Sequence, residues 1–488
     1  MLQLVVGDNF APSSSLVRSY TRTFNGFAAK LTSQESQRLA QIEGVVSVFP
    51  SRTLQLQTTR SWDFMGFHEK TQETASAESD IVIGHFDTGI WPESESFSDK
   101  ARDYEGHGSH TASTAAGNKV RDASFYGLGS GTARGGIPSA RIAVYKVCNQ
   151  HCTDENVLAG FDEADGVDII TISITPPYPQ DFIGDSIAIG SFHAMAKGIF
   201  TVQAAGNNGP ERKSLGSIAP WLMSVAASTI DRRFIDKISL GDGSTIVGQS
   251  INGFSSHGKK SPLIDCVKAS YPKCKYAENC FGECLNPKIV NGKILLFPGA
   301  GARDLAFSNN ASGFIASDEE NRFSHFIDPL PSSYVGFKDF QLLQSYENST
   351  KNPEAEILKS ETITDANAPL VASFSSHGPN QRVPEIMKPD ISAPGVDILA
   401  AYPPRYPDAK RLYSILSGTS MSCPHVAGVA AYIKSFHPDW SPAAIKSSIM
   451  TTAKPMNVSG DKEFAYGSGH LNPVEAVNPG LVYELSGL

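Results

Sequence analysis

Long apolar runs are missing from this 488-residue chain. Nothing in it reaches the ~18 consecutive apolar residues that carry a helix across a bilayer, so no helical membrane span is expected. An excess of basic charge is missing too. Lysine and arginine number 41 against 50 aspartates and glutamates, a net charge of −9, which argues against nucleic acid or an anionic membrane as partner. Internal repeats and low-complexity tracts are absent. Residues 1–8 have no basic flank and only a short apolar stretch, so they do not read as a secretory signal.

What is present is globular, with 40% apolar and 19% charged residues. The length suggests roughly two to four domains. Seven cysteines fall as Cys148 and Cys152, then Cys266, Cys274, Cys280 and Cys284, then Cys423. Zinc would want tight C-x₂-C pairs; the middle four are spaced eight, six and four apart with no histidine nearby. Disulfides are the better reading, with free thiols as the competing one. Three sequons, at Asn310, Asn348 and Asn457, fit the same oxidising, secreted setting.

The first sixty residues read as a small unit of strands and one helix. Residues 16–20 and 24–31 are strand-like, Thr32 with Glu35 forms a capping box opening a helix over 33–41, and 45–49 is a β-rich run. From Ile81 onward short apolar runs (81–84, 141–145, 167–172, 199–202) alternate with helical stretches (107–116, 156–165, 185–197). That alternation implies a doubly wound parallel sheet with helices on both faces, an α/β domain whose ligands sit beyond the carboxyl ends of the strands. Between about 238 and 365 the alternation stops, and the segment reads as an inserted, mostly β domain. The α/β signature then returns, closing with helices over 421–434 and 442–452.

Three segments carry chemistry. Asp87, in Phe86-Asp87-Thr88-Gly89, ends a buried strand; alone, such an Asp is more often a turn or cap residue. His107, in Gly106-His107-Gly108-Ser109-His110, opens a small-residue helix; the pair His107 and His110 lacks a carboxylate at ligand spacing, so a metal site is the weaker reading. Ser420, in Gly418-Thr419-Ser420-Met421-Ser422, enters a buried helix where free N–H groups and the dipole stabilise an anion, although a serine there is usually a cap.

Taken together, in the order Asp, His, Ser and with glycines at fixed offsets, these segments resemble the subtilisin family, which uses that chain order. Asp87-Thr88-Gly89-Ile90-Trp91-Pro92-Glu93-Ser94, Ala205-Gly206-Asn207-Asn208-Gly209-Pro210 and Asn478-Pro479-Gly480-Leu481-Val482-Tyr483 narrow the resemblance to the plant subtilases. It implies a secreted, self-processing serine endopeptidase acting on protein or peptide substrates, with no cofactor or metal. Ser420 would be the nucleophile, His107 the general acid and base, Asp87 its orienting carboxylate and Asn207 the oxyanion donor. The strand around Ser173 would pair with the peptide, and Ala205 and Gly206 would line the specificity pocket. Residues 1–58 resemble the inhibitory propeptide, cut from the rest near Thr58–Thr59. The catalytic domain would then occupy 59–235 and 367–488. The insert, 236–366, resembles the protease-associated domain, through which the chain would form a homodimer as some relatives do.

Departures from the family pattern set up a competing expectation. Only twenty positions separate Asp87 from His107, where relatives carry several dozen more residues including a strand of the sheet. That loss is expected to loosen the Asp–His geometry, giving a folded but inactive relative acting as a binding or decoy module, or a chain that aggregates. Thr175 stands where relatives usually have glycine in the substrate strand, and Phe297 where they have a disulfide cysteine. The fibronectin-like C-terminal domain and the signal sequence of relatives are not in this sequence, as in a truncated or mis-spliced product.

Overall fold

The structure is a computed structural model that describes residues 15–20, 26–45, 48, 59–68, 78–97, 102–149, 151–176, 178–254, 258–272, 274, 280, 284–299, 302–318, 327–404, 412–456 and 462–484. The chain divides into two compact units, Met1–Leu56 and Gln57–Leu488. In the first, β1 (Leu16–Tyr20) pairs antiparallel with β2 (Gly26–Ala29) and is followed by α1 (Ser33–Ala40). The capping box forms: the Glu35 N–H donates to Thr32 Oγ1 at 3.3 Å and the Thr32 N–H to Glu35 Oε2 at 2.7 Å, satisfying two of the helix's orphan donors. Most of the β-rich run at 45–49 lies outside the described residues.

The second unit is organised by a six-stranded sheet. Its strands are β3 (Val82–Asp87), β4 (Arg141–Lys146), β5 (Ile169–Ile172), β6 (Phe200–Ala204), β7 (Met223–Ser228) and, from far along the chain, Ile391–Pro394, in the order Ile391–Pro394, β7, β6, β5, β3, β4. Every pairing is parallel. Parallel strands need crossovers that cover both faces, which is why β5, β6 and β7 are buried along their whole length. One face packs Ile83, Ile169 and Val202 against Ala115 and Ala116 of α2 (His107–Ala116) and against a long C-terminal helix, Thr419–Phe436. The other packs Phe86, Ile170 and Ile172 against Val157 of α3 (Asp154–Glu163) and Ile187 of α4 (Ser186–Ala196). Neighbouring residues serve opposite faces because side chains alternate along a strand. Asp185 caps α4 by accepting from the N–H groups of Ile187 and Ala188.

The segment expected to be a mostly β insert is more mixed than its composition suggested. Its sheet has antiparallel pairs around β8 (Arg232–Leu240), β9 (Thr245–Gly248) and, later in the chain, Glu354–Ile357 and Glu361–Thr364. The strands β10 (Ser261–Asp265), β11 (Ile294–Phe297), β12 (Gly313–Ser317) and β13 (Ser332–Val335) are instead parallel to one another. Parallel order requires crossovers, and helices Pro287–Val290 and Ala302–Ser308 supply two, with α5 (Phe337–Ser349) following β13. Completing the series are β14 (Glu354–Ile357), β15 (Glu361–Thr364), β16 (Ile391–Pro394), α6 (Thr419–Phe436) and α7 (Pro442–Thr451). Six cysteines are bridged, Cys148–Cys152, Cys266–Cys280 and Cys274–Cys284, and Cys423 is a buried free thiol. No helix among the described residues is long and apolar enough to cross a membrane.

Burial holds several histidines neutral. Burial pushes His110 and His425 down to about 3 and His470 down to about 4. A ring whose folded pKa lies below its unfolded value favours the folded state above the unfolded value, and that contribution disappears as protons force onto the unfolded chain. The denaturant midpoint of the protein should therefore fall steadily as pH drops below about 6.5, the ordinary histidine value. A midpoint flat between pH 7.5 and 4.5 would contradict this account of the core.

Candidate active site

Asp87 is the last residue of β3, so its side chain emerges at the carboxyl end of the sheet, where an open α/β sheet forms its crevice. It is almost fully buried, and its two oxygens have separate tasks. Oδ1 accepts the Thr88 N–H at 2.8 Å and faces His107 Nδ1 at 2.7 Å; Oδ2 accepts the Thr111 hydroxyl at 3.2 Å.

The short connection from Asp87 to His107 does not loosen this pair, contrary to the expectation drawn from the missing residues. The reason is Asp103, a buried carboxylate that sequence reasoning passed over. Its Oδ1 accepts from Thr88 Oγ1 (2.9 Å), the Glu105 N–H (2.9 Å) and the Gly106 N–H (2.8 Å). Its Oδ2 accepts from the Ser109 N–H (2.9 Å) and hydroxyl (2.7 Å). One side chain thus ties the turn after β3 to the first turn of α2. The glycines of the motif allow the approach. A Cβ on Gly108 would lie 2.2 Å from the Gly89 carbonyl oxygen, and Gly106, at φ 95°, has the Tyr402 ring where a Cβ would stand. An Asp three positions before Gly106 was the only hint available in the sequence.

Electrostatics follow from this placement. Burial disfavours the imidazolium of His107, but the Asp87 carboxylate outweighs it, and the ring's pKa stands above the ordinary histidine value. Burial likewise pushes Asp87 up, yet His107 and the Thr88 N–H hold it below the usual carboxylate range. His110, the other half of the candidate metal pair, is a core residue whose Nε2 donates to the Ile398 carbonyl at 2.9 Å.

Ser420 is the second residue of α6, where helical N–H groups have no intrahelical acceptor. Pro424 lies four residues on and cannot donate to the Ser420 carbonyl. The hydroxyl of Ser173, just past β5, makes that bond instead, at 2.9 Å. In return Ser420 Oγ donates to the Ser173 carbonyl at 3.2 Å, and no hydrogen bond joins it to His107 among the described residues. Ser173, expected on the substrate strand, is here a brace for Ser420.

Asn207 follows β6 and is exposed. Its Oδ1 accepts from the Thr419 N–H and hydroxyl, both at 2.9 Å, which leaves Nδ2 as the end free to donate. A Cβ on Gly418 would lie 3.5 Å from that Nδ2, so it sits over the start of α6 beside Ser420. Ala205 and Gly206, expected along the specificity pocket, are both buried: Ala205 packs against Leu215 and Ile218, and Gly206 lies against Ser376. Thr175 is accommodated because residue 216 is glycine, where a Cβ would come within 2.8 Å of the Thr175 Cβ.

Residues 68–469 match the model of the subtilase family, and residues 1–57 match that of peptidase inhibitor I9. Subtilisin-like protease SBT4.3 of Arabidopsis thaliana is 49% identical over 537 residues, covering 99% of this chain and 73% of that protein. Subtilisin-like protease SBT4.4 of the same plant is 50% identical over 544 residues, covering 100% of this chain and 73% of that protein. Both alignments are longer than the 488-residue chain, so these relatives carry residues that it lacks within the matched span. With its Asp, His and Ser gathered at one end of a parallel sheet and that likeness running along nearly its whole length, the chain belongs to the subtilase family of subtilisin-like serine proteases, preceded by an I9 inhibitor segment.

Proposed function

We propose that the chain is a self-processing endopeptidase that cleaves peptide bonds with Ser420, His107, Asp87 and Asn207. The observation that carries the reading is the 2.7 Å contact between His107 Nδ1 and Asp87 Oδ1, formed despite the short connection. It orients the imidazole, with Nε2 left for the nucleophile. For attack, Ser420 Oγ rotates from the Ser173 carbonyl to Nε2, which takes its proton as the oxygen adds to the scissile carbonyl. The resulting oxyanion is met by Asn207 Nδ2 and by the N-terminal turn of α6. His107 then returns the proton to the leaving amine, and water repeats the cycle on the acyl-enzyme.

Processing near Thr58–Thr59 is supported by what lies just beyond. The Thr59 N–H donates to the Thr132 carbonyl at 3.1 Å, its carbonyl accepts from Arg232 at 2.8 Å, and Arg60 pairs with Asp231. The new amino end would stay anchored in the catalytic unit while residues 1–58, which contain the inhibitor segment 1–57, are released. Bridged cysteines and the exposed sequon asparagines Asn310 and Asn348 support a secretory route; Asn457 lies outside the described residues. The resting bond from Ser420 to Ser173 favours one alternative, an inactive relative that binds peptides without cutting them.

Expressed behind a signal peptide, wild type should lose about its first sixty residues and react with a fluorophosphonate, whereas Ser420→Ala should do neither. Identical unprocessed bands from two folded proteins would end the endopeptidase reading and leave the binding one. The acid limb of kcat/KM should lie above the ordinary histidine pKa of about 6.5, because Asp87 keeps His107 protonated, and inactive as a base, to higher pH. Asn207→Ala should lower kcat about 10²–10³-fold, ~3–4 kcal/mol, with KM little changed.

A further inference from the structure

His85 lies two residues before Asp87 on β3, fully buried, and the peptidase chemistry above makes no use of it. Its Nε2 is 2.8 Å from Thr111 Oγ1, while its Nδ1 is buried with no partner. Thr111 is the crossing point. Its oxygen lies 3.2 Å from Asp87 Oδ2, 3.2 Å from the His107 carbonyl and 3.1 Å from the Gly108 carbonyl. A hydroxyl has one proton to give, and three acceptors compete for it.

The tautomer of His85 bears on that competition. An orphaned buried N–H is costlier than an orphaned acceptor, so the single ring proton belongs on Nε2 and the bare nitrogen is Nδ1. Nε2–H then donates to Thr111 Oγ1, and Thr111 must be the donor in its other bond. Thr111 is also the sole hydrogen-bond partner of Asp87 Oδ2 among the described residues. We propose that His85, acting through Thr111, is a positioning residue of the triad: it polarises the Thr111 hydroxyl, which fixes the second oxygen of Asp87 and tempers that carboxylate's pull on His107. This rests on the peptidase reading of the site.

The groups that could shift the same titration are few. Asp87, His107 and Asp103 act on His85, whose burial pushes its own pKa down and keeps it neutral. Glu105 acts on His107, His110 feels the charge of His107 along α2, and the Cys423 thiol of α6 feels the charge of Asp87. On β4, Lys146 is in register with Asp87 but gives its ammonium to the Arg102 carbonyl, and β5 contributes Ile169-Ile170-Thr171-Ile172, none titratable.

The test is a cycle of His85→Leu, His85→Gln, Thr111→Val and the Leu/Val double variant, each checked for a cooperative unfolding transition. Without the donated bond Asp87 holds the His107 proton harder. His85→Leu should therefore move the acid limb of kcat/KM upward by on the order of half a pH unit and lower kcat without raising KM. His85→Gln, which keeps a donor at the Nε2 position, should restore both, and His85→Leu should add nothing in a Thr111→Val background. In parallel, ¹⁵N-histidine resonances of the Ser420→Ala chain read the His85 tautomer and the His107 pKa without turnover. They decide this proposal even if the wild type neither cuts peptides nor takes a fluorophosphonate, the outcome that sinks the peptidase reading alone. A proton on Nδ1 of His85, an unmoved His107 titration in folded His85→Leu, or an equal shift in the Thr111→Val background would each overturn it.

Discussion

Asp87 carries its charge where water scarcely reaches, and a lone carboxylate in such a place would take up a proton instead. The surroundings prevent that. A backbone N–H, a threonine hydroxyl and an imidazole each supply a hydrogen bond, and the imidazole is itself tuned by the carboxylate it serves. Asp103 lies one step away, with five hydrogen-bond donors gathered on its two oxygens. Two buried carboxylates, every oxygen of which accepts a hydrogen bond, give the segment between β3 and α2 its shape. The histidine is held against Asp87 with β4 as the edge strand beside β3.

The serine side uses backbone chemistry. A proline inside α6 removes one donor from the helix, and the unpaired Ser420 carbonyl is taken up by Ser173 rather than left empty. Thr419 employs both of its donors to turn the Asn207 amide, so the free N–H₂ end lies beside the helix terminus that would share the anion. Each helix that opens at the site thus has its irregular first turn satisfied by side chains from another strand or loop.

Away from the crevice, the same rule of paired or neutral groups governs the core. Lys388 is completely buried but donates to Asp390 at 2.6 Å and to the Leu222 carbonyl at 3.0 Å, while Lys446 reaches the other Asp390 oxygen at 3.1 Å. Buried histidines avoid the problem by staying uncharged. Two interleaved disulfides, 266–280 and 274–284, close the loops beside β10 and β11, strands whose parallel order the intervening helices make feasible.

Much of this was legible beforehand, for physical reasons. A parallel sheet buried on both faces writes itself as short continuous apolar runs, and 81–84, 141–145, 167–172 and 199–202 all fall on strands of the sheet. The candidate site residues are chemically specific and flanked by glycines that tolerate close approach, so Asp87, His107, Asn207 and Ser420 could be named as candidates without coordinates. Asp103 and His85 could not, because their importance lies in partners brought together by folding: a turn, a helix end and a neighbouring side chain that local sequence does not connect. Nor could the burial of Ala205 and Gly206, which depends on segments around 215 and 376 packing over them. From residue type and periodicity alone, which are local, came the family, the strands and the candidate reacting atoms. The tertiary structure alone decided which buried polar atoms hold those atoms in register, since hydrogen bonding across a fold depends on distance in space.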